Sequence, residues 1–319
     1  MKKNITTSNF VFFTLTVLMP LAGCANPSAT IKVRIINEEG APIKDVQSKL
    51  INIYDFDVIK SGLTDENGFY SDHLKNIFEV SGYFEKPGYY QSSGVIWSAP
   101  NKWGDTPPAD TNFTVVLKNI VNPILMHHKR ITTYFPRLDE VLGFDLEVGD
   151  WVFPDGKGKV VDIELTVEKR FNSIKDFDMS VTIKINGDDC GIQSFHAPKS
   201  TGAGALLGSE LPPPQIAPDF GYQQQTVSTN YWHTNNRRAN SFNENRKWIF
   251  RTRVEKDDEG NIISANYGWI NDDFMVVPTL KYPGQLSFTY YYNPDPKSRS
   301  LELKEIADRQ NRTSPSEGK

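Results

Sequence analysis

The sequence predicts an all-β protein, a β-sandwich followed by a second β-rich, sandwich-like domain. Three observations predict it. Several runs alternate apolar and polar residues with a period of two, as strands with one wet face do. Short turn signals built on Gly, Asn and Asp separate these runs. No long segment with helical period precedes the C-terminal tail.

Taken in order, Ile31-Lys32-Val33-Arg34-Ile35 alternates as a half-buried strand, and Glu39-Gly40 and Asn67-Gly68 mark turns behind it. A strand-like run, Phe113 to Leu117, ends just before Asn122-Pro123, which places a domain boundary there. From Val160 to Lys169, Val161, Ile163, Leu165 and Val167 fall on one face, opposite Asp162, Glu164, Thr166 and Glu168. Val181, Ile183 and Ile185 repeat the pattern before the turn at Asn186-Gly187. Ala197 to Tyr222 is rich in Gly and Pro and reads as a long surface loop. Trp248, Phe250, Thr252 and Val254 form another face, with Lys247, Arg251 and Arg253 opposite and a turn at Glu259-Gly260-Asn261. Tyr290-Tyr291-Tyr292 places rings on both faces of a strand, so one face carries aromatics beyond the core requirement. Leu301 to Ala307 allows one short helix. The expected division is a sandwich over 31–121, a β-rich domain over 122–300 and a mostly disordered tail over 301–319.

The N-terminus indicates an address. Lys2 and Lys3 precede an uncharged apolar run from Phe10 to Leu21, which is shorter than the ~20 residues of a membrane-spanning helix. It ends in Leu21-Ala22-Gly23-Cys24 and resembles a bacterial lipoprotein signal. That resemblance implies removal of 1–23, acylation (palmitate) of Cys24 and membrane lipid as a partner, with 24–30 as a tether. Ala25 after the cysteine implies the outer membrane, facing the periplasm or the surface. The formal charge of −4 and a pI near 5.8 argue against general nucleic-acid binding. Cys190 is the only other cysteine, so no internal disulfide is expected.

Ile31 to Leu117 resembles a carboxypeptidase regulatory-like domain, a transthyretin-like β-sandwich. The resemblance rests on the opening strand, on Glu39-Gly40-Ala41-Pro42-Ile43-Lys44-Asp45-Val46, on Thr64-Asp65-Glu66-Asn67-Gly68-Phe69-Tyr70 and on Pro87-Gly88-Tyr89-Tyr90. It implies an accessory, stabilising or binding module without catalytic residues; the turn itself reads as one from which Phe69 opens the returning strand as a core residue. The second half is similar to uncharacterised bacterial proteins through segments such as Asn245-Arg246-Lys247-Trp248-Ile249-Phe250-Arg251 and Phe288-Thr289-Tyr290-Tyr291-Tyr292-Asn293-Pro294, and that similarity implies no functional residues.

Catalytic signatures are weak. The Gly202 to Gly208 run matches neither the dinucleotide fingerprint nor a P-loop. Five histidines, His73, His127, His128, His196 and His233, show no metal-ligand spacing, and adjacent His127 and His128 point to opposite faces of a strand. Asp257 to Asn261 gathers hard oxygens without EF-hand spacing and reads as a hairpin turn. Cys190 stands beside Asp188 and Asp189, which oppose its ionisation, and Ser194 with His196 lacks a nucleophile elbow. No catalytic residue, metal or cofactor is therefore assigned. Aromatics make up 12% of the chain, and those beside amides and arginines suit recognition, the alternative being that they plug the ends of the sandwiches. The candidates are Trp97, Trp103, Tyr231, Trp232, Arg237 and Arg238. The basic stripe of Lys247, Arg251 and Arg253 is expected to pair with Asp162, Glu164 and Glu168 rather than bind a ligand. The expected function is a non-enzymatic binding or scaffold lipoprotein of the envelope, with a glycan or protein partner and no nucleic acid. The alternative is an envelope hydrolase acting on glycan, its site in the second domain. That alternative requires a cleft with paired carboxylates, or a Ser or Cys within reach of His196 or His233.

Overall fold

A computed structural model of the chain describes residues 28–52, 58–75, 79–98, 110–195, 206–243 and 245–313. Cys24, Trp103 and His196 lie outside these residues, as does the side chain of Trp97. Among the described residues the chain is all-β apart from one helix, and it forms two sandwiches in series.

The first is built from β1 (Ser28–Ile36), β2 (Gln47–Asn52), β3 (Val58–Leu63), β4 (Phe69–Lys75), β5 (Glu79–Glu85), β6 (Ser92–Ser98) and β7 (Asp110–Val116). The second uses β8 (His127–Tyr134), β9 (Val141–Asp145), β10 (Asp150–Trp151), β11 (Ile163–Ser173), β12 (Asp176–Ile185) and β13 (Gly191–Phe195). After β14 (Leu206–Ser209) it continues with β15 (Gln225–Trp232), β16 (Arg238–Asn240), β17 (Lys247–Lys256), β18 (Ile262–Ile270), β19 (Met275–Val277) and β20 (Gln285–Tyr292). The helix α1 (Lys304–Thr313) follows.

In the first sandwich β4-β1-β7 faces β14-β6-β5-β2-β3. Ile31, Val33 and Ile35 are buried while Lys32 and Arg34 are exposed, as the alternation predicts. The Asp65 to Gly68 turn forms as its residues dictate: Asp65 Oδ1 accepts the N–H of Asn67 and of Phe69, and Gly68 takes φ +76°. Tyr70, not Phe69, is the core residue here. Register sets Phe69 opposite Arg34, and its ring lies on the outer face beneath the ammonium of Lys32.

The second sandwich packs β10-β9-β11-β12-β15-β16 against a sheet in which β20 lies between β8 on one side and β18 and β19 on the other. Its core joins Leu165, Val167, Val181 and Ile183 from one sheet to Phe250, Phe288, Tyr290 and Tyr292 from the other. In β17 and the second half of β18 the second sheet is buried on both faces. Tyr291 points away from the sandwich and stacks on Trp269, with ring centroids 4.2 Å apart, in a further core with Met126, Ile249, Leu301 and Leu303. Its ring is therefore no surplus aromatic. Gly268 marks how closely this layer is packed. A Cβ there would stand 2.2 Å from the Phe250 ring and from the Tyr291 carbonyl oxygen. Gly268→Ala is expected to cost at least about 1–3 kcal/mol of stability in a denaturant titration.

Two expectations need correction. The Ala197 to Tyr222 stretch is not simply a surface loop. Its residues 206–209 add β14 to the edge of β6 in the first sandwich, and Leu211 and Ala217 are fully buried. The tail is likewise ordered through 313: Leu301, Glu302, Leu303 and Ala307 are buried, and α1 packs with Tyr90 and Leu211. Neither was visible as a run of apolar period, because each buries only a few side chains against a distant part of the chain.

Candidate binding surface

Cross-strand register builds one surface at the end of the second sandwich. Phe171, Phe177, Trp232 and Arg238 stand directly opposite one another across β11, β12, β15 and β16. All four share the face that carries Leu165 and Val181, because directly opposed residues of antiparallel strands point the same way. Phe177 is buried, whereas Phe171 and Trp232 remain half-buried. The rings of Phe171 and Phe177 stack 6.1 Å apart. Cations border this shelf. The Lys169 ammonium lies 5.0 Å from the Phe171 ring, and the Arg238 guanidinium and Lys175 ammonium lie 5.4 and 6.0 Å from Trp232. Lys169 also donates to the carbonyls of Thr279 and Tyr282, and partial burial lowers its pKa from the ordinary lysine value. Among the described residues neither Lys175 nor Arg238 has a carboxylate partner.

The shelf continues into a groove of about 650 Å³ lined by Asn240, Ser241, Phe242, Asn243, Asn245 and Arg246. Asn240 pairs in register with Asn230, whose amide donates across the sandwich to the Val276 carbonyl, so Asn240 shares the shelf's face. Buried Asp273 fixes the groove wall. It accepts the Trp248 indole N–H at 2.9 Å and the backbone N–H of Phe274 and Asn243, and it pairs with Arg246 at 3.3 Å.

The sequence candidates divide. Trp232 and Arg238 meet on the shelf. Tyr231 points to the opposite face, where Arg170, Asp178 and Tyr231 form the next register row and His233 Nε2 lies 2.6 Å from Asp178. Hydrogen bonding to His233, and then to Arg170, holds the Asp178 carboxyl below the usual carboxylate range. Arg237 is exposed in the β15–β16 turn, and Trp97 belongs to a strand of the first sandwich, opposite Val80. Phe171, Phe177, Lys169 and Lys175 were not singled out from the sequence. The two phenylalanines flank one hairpin, and that was their only signal.

The basic stripe also needs correction. Arg253 pairs with Asp162 as expected, but from the opposite sheet. A bulge in β17, with Arg253 at φ +51°, turns the guanidinium into the sandwich end, where it reaches Asp145, Glu147 and Asp162. Glu164 pairs with Lys184 instead. Arg251 donates to the carbonyls of Asp189 and Asp219, and Lys247 donates to Asn271.

Among the described residues neither a nucleophile–histidine pair nor a metal cluster forms. Cys190 is buried, and burial above all pushes its thiol pKa up. No hydrogen bond joins His233 to a Ser or Cys, and no group of three or more His, Cys, Asp or Glu residues stands ready for a metal. The Asp257 carboxylate is occupied by its own turn, accepting the N–H of Glu259 and Asn261.

No family model matches the chain, and neither does any curated protein. Solved structures give faint likenesses. A 3-chlorocatechol 1,2-dioxygenase from Rhodococcus opacus is 13% identical with a TM-score of 0.24, over 31% of this chain and 62% of that one. A streptococcal ancillary pilin is 10% identical with a TM-score of 0.21, over 82% of this chain and 58% of that one. A shaft pilin of Lactobacillus rhamnosus GG is 8% identical with a TM-score of 0.20, over 86% and 96%. The matched parts span less than two thirds of the dioxygenase and of the ancillary pilin. Likenesses this faint carry no argument about function.

Proposed function

We propose that the protein is a non-enzymatic binding or scaffold lipoprotein of the bacterial envelope, anchored through acylated Cys24 in the outer membrane. Its first sandwich acts as a carboxypeptidase regulatory-like accessory module, and its second presents the Trp232 shelf and the neighbouring groove to an envelope component. One observation carries the reading. A row of rings lies in register on a face that the opposite sheet leaves partly uncovered, bordered by Lys175 and Arg238, which have no carboxylate partner among the described residues. Half-exposed rings beside guanidinium and amide groups bind with little loss of side-chain freedom. The lipoprotein signal supports the location. The hydrolase alternative has no supporting arrangement among the described residues.

The test is retention of the full chain, in mild detergent, on an array of envelope glycans, scored together with cleavage. Retention without new fragments is expected, and Trp232→Ala is expected to weaken it by about tenfold or more. Because Trp232 is half-exposed, the unfolding midpoint should move little. New glycan fragments would make the protein an enzyme and overturn the reading. Retention unaffected by Trp232→Ala would remove the shelf from it.

A further inference from the structure

Resting on that reading, we infer that the ligand is an acidic oligosaccharide bearing carboxylates, bound across the shelf and the groove together. Three features of the surface specify this chemistry.

The first is shape. From Arg238 to Asn240 the strand rises about 7 Å, and the groove begins only there, so a ligand reaching both is longer than one sugar ring. The second is the alternation of apolar and polar lining. Phe171 and Trp232 are half-exposed rings whose uncovered apolar surface suits the C–H side of a sugar, while the side-chain amides of Asn240 and Asn245 form no protein hydrogen bond among the described residues. An amide supplies both donors and an acceptor, which is what a vicinal pair of hydroxyls needs. The third is charge. Arg238 and Lys175 lie over the Trp232 ring, 5.4 and 6.0 Å from its centroid, and among the described residues neither pairs with a carboxylate, in a chain whose net charge is −4. A guanidinium laid over an indole is held by it and takes a carboxylate bidentately. By contrast, three acids near the surface are engaged, Asp176 and Asp178 by Arg170, and Asp273 by Trp248 and Arg246.

The experiment is a calorimetric titration of the full chain with an oligogalacturonate, and in parallel with its methyl ester, which keeps the sugars and removes the charge. The acid is expected to bind at least about tenfold more tightly than the ester, the worth of one charge-assisted hydrogen bond, and to weaken as salt is added. Arg238→Gln should lower the affinity for the acid to that for the ester and leave the ester's affinity unchanged, whereas Trp232→Ala should weaken both. Equal binding of acid and ester would overturn the acidic specificity while leaving the binding function in place. Retention on the glycan array without any binding of the oligogalacturonate would overturn the ligand class alone. No binding in either experiment would remove both. Tighter binding of an oligothymidylate than of the acid would also overturn it, since rings and cations together serve single-stranded nucleic acids as well.

Discussion

Replacing Arg253 with leucine is expected to lower the stability of the protein by about 3–5 kcal/mol, seen as a lower denaturation midpoint. The guanidinium donates to both oxygens of Asp162 at 2.9 Å and to Asp145 at 3.1 Å, and it also reaches Glu147. The side chains of Asp145 and Asp162 are 2% and 0% exposed, so removal of the cation strands two carboxylates away from water. The pH dependence should move as well. Burial alone would push the Asp145 carboxyl up, but the backbone N–H groups of Lys159, Val148 and Val160, with Arg253, outweigh it and hold the pKa below the ordinary 3.8. A folded pKa below the unfolded one contributes stability that is present above the unfolded value and lost as pH falls through the folded value. In the wild type this loss is confined to pH below about 4. In the leucine variant acid unfolding should begin at higher pH. A variant of wild-type stability at neutral pH would show the two carboxylates to be satisfied by backbone donors alone.

Much of the fold was legible because period two is strong evidence for a strand with one wet face. Ile31 to Ile35 and Val181 to Ile185 read correctly for that reason. The rule misreads strands buried on both sides. From Trp248 to Thr252 every residue of β17 is buried, so the apparent wet stripe of Lys247, Arg251 and Arg253 serves carbonyls and carboxylates inside the structure. Asp162, counted as a solvent-facing strand residue, lies before β11 and caps the Leu146 N–H. The shelf was half legible. Trp232 and Arg238 stood out by composition, but Phe171 and Phe177 join them only through register across two hairpins, which a single sequence does not specify. Tyr231 failed for the complementary reason, since adjacent strand residues point to opposite faces.

Glu302→Ala is expected to uncouple the two sandwiches and to cost about 3 kcal/mol or more, from three donors left unpaired. Glu302 is 1% exposed. It accepts the Tyr90 hydroxyl at 2.9 Å from the first sandwich, and the backbone N–H groups of Val121 and Asn122 at 2.9 and 2.8 Å from the connection between the sandwiches. Burial, reinforced by the Glu302 carboxylate, pushes the Tyr90 pKa far above the usual phenol range, so the hydroxyl stays a donor. Beside it, buried Lys118 donates to the Pro213 and Pro212 carbonyls at 2.7 and 3.3 Å, fastening the strap that carries β14, and burial lowers its pKa. Wild-type unfolding should therefore be a single cooperative transition, and the alanine variant should resolve two. Tyr90→Phe, which removes one donor and orphans none, should cost no more than about 1.5 kcal/mol and keep the transition single. One transition in the alanine variant would mean that β14 and Lys118 couple the sandwiches without Glu302. The coupling matters for the proposed binding role because of where the joint lies. It leads into the His127 end of β8, whereas Tyr134, at the far end about 23 Å on, stacks against Tyr282 of the loop that receives Lys169 from the shelf. A stiff joint holds the shelf at the end of the second sandwich remote from the first. A hinge there would let it swing.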